Sequence, residues 1–352
     1  MAQECFPEKG KDKRLVKKLE KQIAKRAFYA AFDELLTAND FAVFSALKSE
    51  VLWHRADFFN AETEGLNAIA NCPDNFPKVY YFLGEIAFNR KDYVNADLHL
   101  KKSIALGIAD PYYSDAVNLY AKAKVLAQII ANPVSFNPEI VSGVSTVYDE
   151  YLPIISPDQE LSFFTRRSDK TSLYAIVSTS VEEFVSSKKI KGKFKEGKAL
   201  TYPFNMESNE GGASITIDNK VLYYTKCIRN KKGYNNCDIY YVNRVNGSWS
   251  EVQTFSDKIS KQDSWESQPT VSSDGKVIIF ASDRSGGYGK IDLYEINLVD
   301  GEWTSPKNLG SAINSNEHEK SPYLHTDGKT LFFASTNFPS IGGFDIFYSR
   351  MD

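Results

Sequence analysis

Histidine is scarce. The 352 residues hold four, His54, His99, His318 and His325, which leaves little for a metal cluster. His318-Glu319 is not followed by a second histidine at helical spacing, so no zincin motif exists. Cysteine is scarce too. Cys5, Cys72, Cys227 and Cys237 include no CxxC pair, which argues against a zinc ribbon or a thioredoxin motif. No stretch reaches the roughly 18 apolar residues of a membrane span. The opening residues "MAQECFPEKGKDKR" contain no apolar h-region, so the chain is either cytosolic or a mature form whose signal has been removed. There is no excess of positive charge either. Lys and Arg number 42 against 45 Asp and Glu, a net charge of −3, so nothing global argues for nucleic acid. A G-x-S-x-G nucleophile elbow is missing. The loop "SGGYGK" is no Walker motif, because Lys290 lacks a following Ser or Thr. No active site emerges, and the expectation is a protein without enzyme activity or cofactor.

What the sequence does have is repetition. From about Val16 to Ala131 the pattern is helical: Leu15, Leu19 and Ile23 recur at i+4 and glycine is rare. Asp57-Phe58 followed by Ala61 lines up with Asp92-Tyr93 followed by Ala96, an offset of 92 − 57 = 35 residues. A period near 34 with paired helices is the tetratricopeptide signature. Leu83-Gly84 fits the crossing point of such a pair, whereas Gly65 stands where an apolar residue is expected. About two and a half units are visible, either a groove for a partner segment or a plain helical spacer. The first helix carries nine basic residues between Lys9 and Arg26 against Glu8, Asp12 and Glu20. That face could touch anionic lipid, but its first two turns lack Trp and Phe, and a solvated outer face is the favoured reading.

From about Pro133 the helical period fades and strand-like runs take over: "LSFFTRR", "VLYYTK", "VIIFAS", "LFFAS". Each follows a turn anchored on an aspartate: Asp158, Asp218, Asp274 and Asp327, offset by 60, 56 and 53 residues. Five residues before each anchor lie Pro153, Ala213, Pro269 and Pro322. Three before those lie Glu150, Glu210, Glu266 and Glu319. Another strand opens at Asp238, Asp292 and Asp345, with Ser172 in the first copy, and Trp249 and Trp303 mark a further one. The last two turns, "SDG" and "TDG", carry glycine, which supplies positive φ. The apolar runs are continuous, so those strands are expected to be buried on both faces. A four-stranded unit repeated every 50 to 60 residues is a propeller blade, since stacking blades about an axis covers faces that one sheet would expose.

The phrase Glu-x-x-Pro, Asp-Gly-Lys, "FAS", a glycine loop and Asp-[Ile/Leu]-Tyr resembles the WD40-like (PD40) repeat of TolB-type propellers. With "SDRSGGYGKIDLY" and "NLGSAINSNEHEKSP", residues from about Ala46 onward resemble one branch, the Bacteroidetes OmpA-family proteins with tetratricopeptide units before a propeller. PorE-like accessory components of the type IX secretion system, linked to gliding motility, belong there. The resemblance implies a periplasmic, outer-membrane-associated adaptor with protein partners among outer-membrane secretion components. It implies contact with peptidoglycan through a C-terminal OmpA-like domain that this chain does not show. The alternative is the substrate- or glycan-recognition propeller of an envelope hydrolase.

The expected fold is therefore α+β and multidomain: residues 1–132 a tetratricopeptide-like helical stack, residues 133–352 an all-β propeller of four visible repeats. Its last blade is expected to be truncated, unless residues 132–145, which resemble "WTSPKNLGSAINS", supply the missing strand. The four glutamates could ring the central channel and hold a hard cation, or each could accept backbone hydrogen bonds where blades join. The latter is the favoured reading. Asp238, Asp292 and Asp345 are expected to cap the turns before their strands, and Trp249 and Trp303 to pack between blades. Cys227 and Cys237 flank a polar turn between two strands and are either bonded or free thiols; Cys5 with Cys72 is a weaker pair.

Overall fold

The structure is a computed structural model and describes residues 4–133, 135, 137–170, 179–206, 209–229 and 235–351. The chain divides into two compact units, residues 1–136 and 137–352.

The first unit holds seven helices among its described residues: α1 (Gly10–Ala24), α2 (Phe28–Leu35), α3 (Ala42–His54), α4 (Phe58–Asn71), α5 (Pro77–Asn89), α6 (Tyr93–Ala105) and α7 (Tyr113–Ala131). α3 pairs with α4 and α5 with α6, so the 35-residue offset of the sequence is an offset between helical hairpins. Asp57 and Asp92 are the matching N-caps, accepting from Asn60 N (3.4 Å) and Asn95 N (3.3 Å). Ala61 and Ala96 are fully buried. Gly84 lets α5 approach α6 closely, since a Cβ there would stand 2.5 Å from Leu100 Cγ. Gly65 is tight as well, 3.0 Å from Ser49 Oγ and 3.1 Å from Val79 Cγ1, so the small residue is required by packing rather than misplaced. On α1, Leu19 and Ile23 enter a core with Leu35, Val43 and Val51, while the lysines stay on the solvent side and Lys18 pairs with Glu34 at 2.7 Å. A disulfide ties Cys5, ahead of α1, to Cys72 at the end of α4. Among the described residues no helix is long and apolar enough to cross a membrane.

The second unit is a four-bladed β-propeller. Blade 1 holds β1 (Asp149–Ile155), β2 (Leu161–Lys170), β3 (Thr179–Ile190), β4 (Lys193–Phe194) and β5 (Lys198–Ala199). Blade 2 holds β6 (Asn209–Ile215), β7 (Val221–Arg229), β8 (Asn235–Val245), β9 (Ser248–Trp249) and β10 (Gln253–Thr254). Blade 3 holds β11 (Glu266–Val271), β12 (Val277–Ser282), β13 (Asp292–Val299), β14 (Glu302–Trp303) and β15 (Lys307–Asn308). Blade 4 holds β16 (Glu319–Leu324), β17 (Thr330–Ser335) and β18 (Asp345–Arg350). Each sheet is an antiparallel meander. The expected single fourth strand is instead two short pieces. The first closes a tight hairpin on the end of the third strand and the second pairs nearer its middle, as Trp303 opposite Leu298 and Asn308 opposite Tyr294. Residues 132–145 do not supply a strand to blade 4: the described part of that segment pairs with no strand, and Val144 packs on Phe164 and Val185 of blade 1.

A bulge recurs at one place in every first strand. The register shifts at Tyr151/Ile154, Gly211/Ser214, Ser267/Thr270 and Lys320/Tyr323. The shifted residue has positive φ in each: Leu152 (50°), Gly212 (58°), Gln268 (58°) and Ser321 (50°). The repeated Pro153, Ala213, Pro269 and Pro322 come next. Proline is tolerated at a bulge because the ladder there needs no N–H from it.

Gly84→Ala should force Leu100, which is fully buried, out of its rotamer. The expected loss is about 1–3 kcal/mol, read as a lower urea midpoint at unchanged m-value.

Candidate functional site

The repeated carboxylates stand at the junction of three chain segments. Glu319 accepts from Ser315 N (2.8 Å) and Ser315 Oγ (2.6 Å) in the loop before it, and from Ser335 Oγ (2.7 Å) opposite it on β17. Glu266 accepts from Lys261 N (3.1 Å), Ser264 Oγ (2.5 Å) and Ser282 Oγ (2.8 Å), and pairs with Arg284 at 3.0 Å. Glu210 takes Asn205 N (2.8 Å) and lies 3.4 Å from Lys226 Nζ. Glu150 takes Thr146 N (3.1 Å) and Arg166 Nε (2.8 Å). Each glutamate thus welds the preceding loop to the second strand of its own blade. An axial cavity of about 690 Å3 is lined by the first strands of all four blades, at Ile154, Ala213, Pro269 and Pro322 among others, and none of the four glutamates lines it. The structure does not bring them together, and among the described residues no three His, Cys, Asp or Glu side chains converge to hold a metal.

The turn aspartates bind within their own turns, and Asp158 also accepts from Asn219 Nδ2 of blade 2 (3.0 Å). Asp158 accepts from Ser156 Oγ (2.5 Å) and Glu160 N (3.0 Å), Asp218 from Thr216 Oγ1 (2.7 Å) and Lys220 N (3.1 Å). Asp274 accepts from Ser272 Oγ (2.6 Å) and Lys276 N (3.0 Å). Those bonds hold all three carboxyls below the usual range. Asp327 takes Lys329 N and Thr330 N, both at 2.8 Å, and has His325 where the others have a hydroxyl. Sequence reasoning passed over that hydroxyl two residues before the anchor, although Ser156, Thr216 and Ser272 repeat at the same offsets.

The third-strand aspartates are not equivalent. Asp292 caps its loop, accepting from Tyr288 N (2.5 Å) and Gly289 N (3.0 Å), and also takes Asn308 Nδ2 (2.8 Å). Asp345 accepts from Gly342 N at 2.8 Å. Asp238 instead accepts from Asn236 Nδ2 (3.0 Å) and faces Glu266 of the next blade. Burial, then the Glu266 charge, push its pKa up to about 7. Asp238 Oδ1 is buried and no donor reaches it, so a proton there would let Asp238 donate to Glu266. The Cys227–Cys237 disulfide links directly opposed residues of β7 and β8 and adjoins Asp238. Ser172, the first-copy counterpart, lies outside the described residues.

The polar contacts between blades come from residues the sequence did not single out. The bulge N–H of blades 2, 3 and 4 donates to a polar side chain of the blade before: Gly212 N to Thr165 Oγ1 (3.3 Å), Gln268 N to Thr225 Oγ1 (2.9 Å), Ser321 N to Gln268 Oε1 (2.8 Å). Trp249 stands edge-on to Phe163 of blade 1 (6.4 Å), and Trp303 edge-on to Tyr223 (6.5 Å) and Phe255 (5.9 Å) of blade 2. Both tryptophans pack between blades.

The helical unit carries the open apolar cavities. One of about 590 Å3 is lined by Trp53, Phe58, Phe59, Glu85 and Ile86; Phe59 is 78 % exposed and Trp53 Nε1 donates to Glu85 at 2.8 Å. Another of about 580 Å3 includes Phe28, His54, Phe76, Lys78 and Tyr112. There His54 stacks on Phe28 (4.4 Å), burial lowers its pKa, and Lys78 pairs with Glu50 at 2.7 Å.

No family model and no curated protein matches the chain. Among solved structures it is similar to a Mycobacterium tuberculosis puromycin-hydrolyzing peptidase, at 12 % identity and a TM-score of 0.36, over 57 % of this chain and 27 % of that one. It is also similar to the tricorn protease, at 14 % identity and a TM-score of 0.30, over 51 % and 20 %. A third is the C-terminal domain of gp131 from bacteriophage phiKZ, at 9 % identity and a TM-score of 0.27, over 60 % and 57 %. The chain spans about a quarter of the length of the first of these peptidases.

Glu266→Ala should strip Arg284, itself buried, of its counter-charge, at an expected loss of about 3–5 kcal/mol in urea unfolding. The native state favours protonated Asp238, whose unfolded pKa is about 3.9. Its contribution is complete below that value and is lost as pH rises through about 7. Asp238→Asn should abolish that decline, so the variant's urea midpoint should fall less than the parent's between about pH 5 and pH 8.

Proposed function

We propose that this chain is a non-enzymatic scaffold that holds other proteins at the cell envelope. On this reading it serves an outer-membrane-associated machinery of the type IX secretion kind, with tetratricopeptide-like hairpins in front of the propeller. The observation that carries the proposal is a division of chemistry. In the propeller the repeated carboxylates are engaged with loops and strands of their own blades. In the helical unit the large apolar side chains Trp53, Phe58 and Phe59 line an open cavity. A wide aromatic cleft that carries Glu85 beside the Glu62–Arg90 ion pair suits a partner segment that offers apolar side chains and a hydrogen-bond donor. The second reading, a recognition propeller serving a hydrolase, draws on the axial cavity that all four blades line.

Affinity capture from cell envelopes with crosslinking separates the two. Outer-membrane secretion proteins, or peptidoglycan fragments, should come down with the chain. Phe59→Asp, which alters an exposed residue and should leave the melting temperature in place, should lose roughly tenfold or more of that capture. Recovery of neither, together with turnover of a peptide or glycan, would overturn the scaffold.

A further inference from the structure

The turn inside each helical hairpin is built the same way, three times over. Arg26, Ala56 and Lys91 have positive φ (58°, 59° and 65°), and their N–H groups donate to Ile23 O, Trp53 O and Phe88 O. Ala27, Asp57 and Asp92 follow, donating to Gln22 O, Leu52 O and Ala87 O. Beyond them Ala31, Ala61 and Ala96 are fully buried. α1 with α2 is therefore a further hairpin of the kind that α3–α4 and α5–α6 make. The matching positions place Tyr29, Phe59 and Val94 at the second residue of α2, α4 and α6, where they are 74 %, 78 % and 55 % exposed. An apolar side chain left in water at the same place in every hairpin marks a contact surface rather than scattered exposure.

Two of these turns open on an arginine that reaches back to the hairpin before. Arg90 donates from Nη1 and Nη2 to the two oxygens of Glu62, both at 2.8 Å. Arg55 reaches the matching residue of α2, the one after the buried alanine, and there it meets Phe32. Its guanidinium carbon lies 4.5 Å from the Phe32 ring centre and 4.7 Å from that of Tyr29. Stacking engages the face of the guanidinium and leaves its N–H donors to other partners. Among the described residues no carboxylate pairs with Arg55 and no acceptor takes those donors. Lys25, Arg26 and Lys91 add positive charge in the same turns. The nearby carboxylates are occupied: Asp57 and Asp92 hold the asparagines they cap, and Glu62 holds Arg90.

We propose that this edge of the helical unit binds an acidic protein segment, with a glutamate or aspartate carboxylate forked on Arg55 and neighbouring apolar side chains laid on Tyr29 and Phe59. The proposal rests on the reading of the Trp53–Phe59 cleft as a partner site and adds the charge that the partner must carry. Arg55 directly follows Trp53 and His54, which line that cleft, so one short segment fills both the fork and the opening. A planar guanidinium with two rings beside it and its donors free is matched by a carboxylate, which takes two parallel N–H bonds. An anionic membrane fits less well. Glu62 and Glu85 stand in the wall of the cleft, where a plane of lipid phosphates would meet them along with the cations, and a recess of about 590 Å3 asks for a protruding side chain.

The test uses the full chain and short labelled peptides in which leucine and phenylalanine are set among glutamates, beside matched peptides with glutamine in place of glutamate. The glutamate peptides should bind roughly tenfold more tightly, and added salt should weaken them more than the glutamine set. Arg55→Gln should bring the two sets to within about twofold of each other, whereas Phe59→Ala should weaken both roughly tenfold. Melting temperatures show that both variants fold, and the comparison of the two sets on the unmodified chain needs no variant. Equal binding of the two sets, or binding of neither, overturns the proposal. So do phosphatidylserine vesicles that displace the glutamate peptides. The scaffold reading fails separately. If Arg55→Gln leaves envelope capture intact while Phe59→Asp removes it, the acidic partner falls and the scaffold stands. If the glutamate peptides bind as expected while the unmodified chain captures nothing from envelopes, the scaffold falls and this surface stands.

Discussion

A carboxylate taken out of water must have its lone pairs filled, and in blades 2, 3 and 4 that need falls on one glutamate each. Moving such a charge inside costs several kcal/mol unless donors surround it. Glu266 and Glu319 are fully buried, and Glu210 nearly so. Their donors come from two directions, the loop behind and the strand beside. Neither can slide without stranding the charge. That fixes the register of each first strand on the second, at Glu266 opposite Ser282 and Glu319 opposite Ser335. The bulge two residues on is then fixed too, and with it the N–H that reaches the previous blade. In blades 2, 3 and 4 one buried charge thus sets both the sheet and the junction.

The apolar contacts between blades supply the bulk of the stabilisation once that frame is set. Phe163, Phe184 and Phe204 meet Leu222, Tyr224 and Val242 across the first junction. Tyr223 and Ile239 meet Ile278, Phe280 and Ile296 across the second. No blade of three long strands could bury two faces alone, so each depends on its neighbour, as repeat architectures do. The tryptophans on the short fourth-strand hairpins lie at the rim of these junctions, where a large ring excludes water from a contact already made.

Much of this was legible in the sequence, and for one reason. The recurrence of Asp158, Asp218, Asp274 and Asp327 exposes any residue that keeps a fixed distance from them, which reveals the glutamates, the prolines and the long apolar strands. The 35-residue offset between Asp57 and Asp92 likewise shows paired helices. Three things were not legible. Cross-blade donors and acceptors such as Thr165 and Gln268 are ordinary polar residues, and only the folded ring gives them a partner 43 to 53 residues away. The split of the fourth strand depends on how far the third strand runs past its neighbour, which no pattern of residue types records. The glutamates are equivalent by symmetry, but whether equivalent residues meet on the axis or remain apart depends on their depth in the blade.

Repetition itself carries a consequence for function. A residue type that recurs in every blade meets a demand every blade shares, and that demand is structural. Chemistry particular to this protein is better sought where one copy departs from the rest. Blade 2 departs most. Cys237 stands before Asp238, where blade 3 has Ile291 and blade 4 has Phe344, and it is bonded across the hairpin to Cys227. Asp238 turns from its own loop toward Glu266 and carries a raised pKa, whereas Asp292 takes two backbone N–H groups in its own loop. The cross-strand disulfide of blade 2 thus lies beside a carboxyl pair, Asp238 and Glu266, at the junction with blade 3. The helical unit leaves Phe59, a large side chain, mostly exposed. The repeated glutamates of blades 2, 3 and 4, by contrast, are turned inward and held by their own blades.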